Sequence, residues 1–159
     1  MKRNNLNMIA AILVAFLLSL PLTNFGVIYG QDNGVVSVTS KYSFDKTESQ
    51  IRHLVSQNGM MVLSQLNQGK IMSMSGVSLK DISLFVGNPK VGKKLFTQDA
   101  GVGLVVPIRI NIYDGKDGKT HVNYIKPSSN LAYFNNDQIN NVAKMLDQKL
   151  SKLTGMISE

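Results

Sequence analysis

The stretch Ile108-Arg109-Ile110-Asn111-Ile112-Tyr113, with the turn Asp114-Gly115-Lys116-Asp117-Gly118-Lys119 and the return Thr120-His121-Val122-Asn123-Tyr124-Ile125, decides the fold class. Ile108, Ile110 and Ile112 alternate with polar residues, as do Val122 and Tyr124 on the way back. A period of two is the mark of a half-buried strand. The six residues between are rich in Gly and Asp and read as a chain reversal. The result is an antiparallel hairpin. Upstream, Leu104 to Tyr113 reads as one long strand. Pro107 has no N–H to give to a ladder, which assigns it to an edge, a bulge or the strand start.

Downstream of the hairpin lies the longest periodic segment. Ile139, Val142, Ala143, Leu146, Leu150 and Leu153 fall on one helical face; Asn135 or Asn136 caps the helix and Gly155 ends it. Upstream, Val35 to Tyr42 is rich in β-branched residues and reads as a strand. Asp45 with Glu48 gives a capping-box pattern. Ile51, Leu54 and Val55 then form an apolar stripe, and Asn58-Gly59 stops that helix. Met60 to Leu66 and Ile82 to Val86 read as strands. Gly87-Asn88-Pro89 reads as a turn, Lys93 to Gln98 as a short helix, and Gly101 to Gly103 as a loop. Asn67 to Gly76 carries no clear pattern. A hairpin beside a terminal helix favours α+β over a doubly wound parallel sheet. The expectation is an antiparallel or mixed sheet of about five strands, with a helix in the N-terminal half and a long C-terminal helix packed on it.

The first thirty residues differ from the rest. Lys2 and Arg3 precede an apolar run, Met8 to Leu20, which Pro21 breaks. A bilayer crossing needs roughly 20 apolar residues, so this shorter run reads as a secretory signal peptide. An uncleaved N-terminal anchor is the alternative, and the absence of Cys excludes a lipid-modified cysteine. Residues 31–159 then form a single domain, exported to the periplasm or the outside. The 159 residues hold 17 Lys+Arg and 10 Asp+Glu, a formal charge of +7. Without Lys2 and Arg3, 15 basic and 10 acidic residues remain, or +5. Zero Cys and two His exclude disulfide staples, thiolate metal sites, cysteine nucleophiles and a His-only zinc site. With no Trp and 7% aromatics, the chain lacks the stacking platform that single-stranded nucleic acid needs.

The segment Leu84-Phe85-Val86-Gly87-Asn88-Pro89-Lys90-Val91-Gly92-Lys93-Lys94-Leu95, together with Gly103-Leu104-Val105-Val106-Pro107-Ile108 and His121-Val122-Asn123-Tyr124, resembles the domain of unknown function 302 family. That family shows Phe-Gly-Asn-Pro-Lys, then Leu-Pro at a strand start, then a turn and a Tyr-bearing strand. Here Val86 separates Phe85 from Gly87, and Val106 precedes Pro107. The family's Asp-His pair after the second strand is replaced by Leu66-Asn67-Gln68-Gly69. The resemblance covers roughly residues 36–155. It implies a small α+β fold, often dimeric, and no established catalytic activity.

Three patterns carry candidate chemistry. Gly87 to Lys94 nearly spells a phosphate-binding loop, in which backbone N–H groups and Lys93 would cradle anionic oxygens. Lys94 stands where a Mg²⁺-holding hydroxyl belongs, and Pro89 removes a donor. A looser anion site on Gly87, Asn88, Pro89, Lys90, Gly92 and Lys93 remains open. Met60, Met61, Met72 and Met74 are soft thioethers of the kind exported copper carriers use, with Met72 and Met74 on one side of a strand; core filling is their ordinary use. His53 and His121 could meet Asp114 or Asp117 around a metal only if the fold brings them together. Lys90, Lys93, Lys94, Lys116, Lys119, Lys126, Lys144, Lys149 and Lys152 spread positive charge toward an anionic ligand or surface.

No Ser/His/Asp set or paired carboxylates converge. The reading is therefore an exported, non-enzymatic module that binds a small ligand or a partner, as a homodimer, with no cofactor and no nucleic acid. A small anion-binding or catalytic domain at Gly87–Lys94 and a copper carrier at the Met cluster are the alternatives.

Overall fold

Alternation in the central strand sets the layering. The computed structural model describes residues 34–159. Its sheet has five strands, β1 (Val35–Thr39), β2 (Met61–Leu66), β3 (Asp81–Gly87), β4 (Ile108–Asp114) and β5 (Thr120–Ile125). They lie in the order β1-β5-β4-β3-β2, every neighbouring pair antiparallel. Ile110 sits between Leu84 and Tyr124, and Ile112 between Ile82 and Val122. All six side chains are buried on one face. Pairing these strands a single residue out of register would turn the whole set to the other side.

Two helices cover that face, α1 (Phe44–Gln57) and the long C-terminal α5 (Asp137–Gly155). Ile51, Leu54 and Val55 from α1 join Leu146, Leu150 and Leu153 from α5 in one cluster with the sheet. Burying a side chain of this size stabilises the fold by about 1.5–3 kcal/mol before conformational entropy is counted. Ile139 and Ala143, at the start of α5, join a second cluster with Leu95, Val102 and Leu131. The fold is α+β with helices on one face of an antiparallel sheet, as the hairpin and the terminal stripe imply.

Local chemistry moves several boundaries. Asn136, not Asn135, caps α5, its Oδ1 accepting from the N–H groups of Gln138 and Ile139 at 2.9 and 3.1 Å; Asn135 takes a left-handed φ of 45°. The capping box at Asp45 does not form. Phe44 packs on the core and draws the helix start back to Ser43, while Glu48 turns to Arg52 at 2.7 Å. The first strand ends at Thr39, short of Tyr42; the Ser40 hydroxyl bonds Thr47 Oγ1 at 2.7 Å. The unpatterned stretch folds as a short helix, α2 (Gln68–Ser73), capped by Asn67. The helix expected at Lys93–Gln98 begins earlier, as α3 (Pro89–Phe96), because Pro89 suits the first helical position. Residues Ala100–Leu104 form a 3₁₀ turn. The long strand expected from Leu104 therefore begins only at Ile108, and Pro107 stands at its start, after a cis peptide bond. A further helix, α4 (Pro127–Leu131), and a 3₁₀ turn at Ala132–Phe134 follow the hairpin.

Among the described residues, no helix is long and apolar enough to cross a membrane. The leader expected over residues 1–30, Lys2 and Arg3 included, lies outside the described residues.

Candidate ligand-binding site

Gly87 ends β3 and Asn88 opens α3. The Asn88 Oδ1 atom accepts from the N–H of Lys90 at 2.8 Å and of Val91 at 3.2 Å. The Gly92 N–H is bonded to the Asn88 carbonyl at 2.8 Å, and Pro89 has no N–H. The donors a phosphate cradle would use are thus already satisfied by the cap. The Asn88 side-chain amide in turn donates to the Gly59 carbonyl, tying the end of α1 to the start of α3.

Beneath this cap lies a cavity of about 360 Å³. Its walls come from the β2 side (Met60, Leu63), the end of β3 (Val86, Gly87), the inner side of α3 (Val91, Leu95), Pro107 and Ile108, and Leu146 of α5. Asn88 and Lys93 are its polar neighbours. A Cβ at Gly87 would lie 3.0 Å from Leu63 Cδ1, so the glycine sits in close contact with the Leu63 side chain at the cavity wall. Of the residues singled out from sequence, Gly87, Asn88, Pro89, Gly92 and Lys93 border this one space. Lys90 is exposed and lies outside its lining. The apolar walls were not legible as a site, because Met60, Leu95, Ile108 and Leu146 belong to separate stripes that only packing joins.

The methionines separate. Met60 is buried in the core, while Met61 is exposed. Met72 lies in α2 and Met74 caps its end, which corrects the expectation of a shared strand side: residues two apart on a helix do not face each other. The histidines also part. His53 is exposed on α1, in the helical layer, whereas His121 lies on the opposite face of the sheet. His121 Nε2 meets Asp117 at 3.0 Å and its ring stacks on Tyr113 at 5.3 Å. Asp114 instead accepts from Thr120 at 2.7 Å. Among the described residues, no group of three or more His, Asp or Glu side chains could hold a metal ion. The charge is partly consumed: Lys119 pairs with Glu159 at 2.7 Å, and Lys149 donates to the Asn58 carbonyl at 3.0 Å.

The family model for "Domain of unknown function DUF302" matches residues 36–157. The chain belongs to the DUF302 family. Its fold is shared with the crystal structure of an uncharacterized conserved DUF302 protein from Bacillus stearothermophilus, with a TM-score of 0.73 at 19% identity, covering 78% of this chain and 98% of that one. Curated relatives include fluoride-specific ion channel FluC 1 of Brucella suis and FluC 2 of Brucella melitensis. Each is 28% identical over 98 residues, 61% of this chain. The match spans only 39% and 36% of the length of those proteins.

The open face of the DUF302 sheet carries a polar network that the sequence reading did not single out. Ser83 is fully buried. Its hydroxyl donates to Asn111 Oδ1 at 2.8 Å and accepts from Gln68 Nε2 at 2.6 Å and Arg109 Nε at 2.7 Å. Asp81 lies on the same face, and its buried Oδ1 has no hydrogen-bond partner among the described residues. Burial raises its pKa, with the Asn111 amide and the Arg109 charge pulling the other way. The available signal was the same alternation that marked the core: if Ile108, Ile110 and Ile112 face the helices, Arg109, Asn111 and Tyr113 share the other side.

Proposed function

We propose that this DUF302 domain is a binding module whose site is the apolar cavity under α3, and that its ligand is a small, largely apolar molecule. The carrying observation is the cavity itself: about 360 Å³, walled by aliphatic side chains, with Asn88 and Lys93 at its border. That size lies within the range of small-molecule sites. A bare anion is the poorer fit, since the amides of Lys90 and Val91 are committed to Asn88. Indole, neutral and apolar, is a suitable probe. Titrated into the protein, it is expected to give saturable shifts of the Met60 and Leu146 methyl signals. A Val91→Phe substitution, which fills the space, should abolish them. Shifts that never saturate, or that survive the filling, would remove the cavity as the site.

The same proposal places the domain outside the cytoplasm, on the strength of Lys2, Arg3 and the Met8–Leu20 run. Sequencing the N-terminus of the protein recovered from fractionated cells checks it: a start near Gln31 in the exported fraction supports export, and an intact Met1 in the cytosol refutes it. Self-association is supported by large apolar side chains left in water, Phe96 and Tyr133 among them. Light scattering should report twice the chain mass, and a monomer at all concentrations would reject it. The fluoride-channel relatives hold their matched stretch within longer chains, which fits a module that also works attached to other proteins.

A further inference from the structure

The second large hollow lies on the other side of the Pro107 segment, on the open face of the sheet, and has a volume of about 690 Å³. Its floor is polar, with Arg109, Asn111 and Asn123; Phe85, Leu104 and Ile125 stand among its apolar walls. Arg109 is anchored there. Its Nε donates to the buried Ser83 hydroxyl at 2.7 Å. That hydroxyl is saturated, accepting from Gln68 as well and donating to Asn111. The guanidinium is therefore held at its inner edge, while its two terminal nitrogens make no hydrogen bond or ion pair with any described residue. Asn123, half-buried beside it, also makes no side-chain hydrogen bond among the described residues.

We propose that this hollow binds a small organic carboxylate, with the outer edge of the Arg109 guanidinium gripping the carboxylate, Asn123 supplying a further amide donor, and the ligand's apolar body lying against Phe85, Leu104 and Ile125. The chemistry follows from the parts. A guanidinium fixed at Nε still presents two parallel N–H donors, the geometry that matches the two oxygens of a carboxylate. Ordering it in advance through Ser83 and Gln68 lowers the entropy lost on binding. The apolar walls favour an organic acid over inorganic phosphate, which would leave them wet. Asp81 lies on the same face of the sheet, and among the described residues it forms no ion pair with Arg109, so the cation stays available. This site is separate from the cavity under α3, and each can fail without the other.

Benzoate and its neutral counterpart benzyl alcohol test the idea by calorimetric titration of the protein. Benzoate is expected to bind saturably, and benzyl alcohol at least about tenfold more weakly. Arg109→Met should weaken benzoate by about tenfold or more, and Arg109→Lys should recover only part of that loss, because an ammonium cannot make the paired contact. Asn123→Ala should weaken it less and serves as the second probe if an Arg109 variant misfolds. Indole shifts at Met60 should be unchanged in Arg109→Met, so loss of this site and loss of the α3 cavity are told apart. Equal affinity for benzoate and benzyl alcohol would overturn the proposal. So would Arg109→Met and Asn123→Ala variants that bind benzoate like the parent, or inorganic phosphate displacing benzoate at equal concentration.

Discussion

Asp81 is the residue at which burial and charge conflict most. Its Oδ1 is out of water without a partner among the described residues, and desolvation raises its pKa above the usual 3.8. An acid whose pKa is higher in the folded state binds its proton more tightly there than in the unfolded chain. The cost is therefore absent below about pH 3.8, grows as pH rises through the raised folded value, and stays constant above it. Asp81→Asn should unfold at a higher temperature than the parent at pH 7, and the difference should vanish near pH 3; melting curves at the two pH values check this. Asp117 behaves in the opposite sense, held below its usual range by the hydrogen bond from His121. Neither behaviour can be read from an isolated Asp in a sequence, because each depends on what the fold sets beside it.

Helix termini govern the elements. Asn136 satisfies two amides at the start of α5, so Asn136→Ala should cost about 1 kcal/mol in urea unfolding. The sequence indicated a capping Asn here and left two candidates; the left-handed backbone at Asn135 decided between them. At α3 the local pattern places the helix start four residues too late, since Gly87-Asn88-Pro89 serves equally well as a turn or as strand end, cap and first helical residue. Gly92 lies inside that helix, and a Cβ there would meet nothing within 4 Å. Gly92→Ala should therefore stabilise the protein by about 0.5–1 kcal/mol, through helix propensity and a less free unfolded chain. A loss of stability in thermal melts would mean that α3 needs the glycine for another reason. The capping box at Asp45 shows the reverse case, where a sound local pattern is outweighed by the packing of the half-buried Phe44 on the core.

At the scale of the molecule, one face of the sheet is closed by α1 and α5 while the other carries the Ser83 network and the Arg109 hollow. Leu150 is fully buried in the layer between sheet and helices, and Leu150→Ala should cost about 2–5 kcal/mol by denaturant unfolding. With no cysteine in the chain, no crosslink offsets such a loss. The sequence by itself determined the antiparallel hairpin, the C-terminal helix and the α+β class, because periods of two and 3.6 are local consequences of backbone geometry. It also determined which side of β4 faces the core. Only the tertiary structure decided that α3 roofs an apolar cavity, that Met72 and Met74 leave Met60, and that His53 and His121 lie on opposite sides of the sheet. The same holds for Ser83, Gln68 and Arg109, which lie 15 and 26 positions from one another along the chain and meet only through strand register and the packing of α2. Sites of this kind are built from distant residues, and local periodicity carries no information about which distant residues will touch.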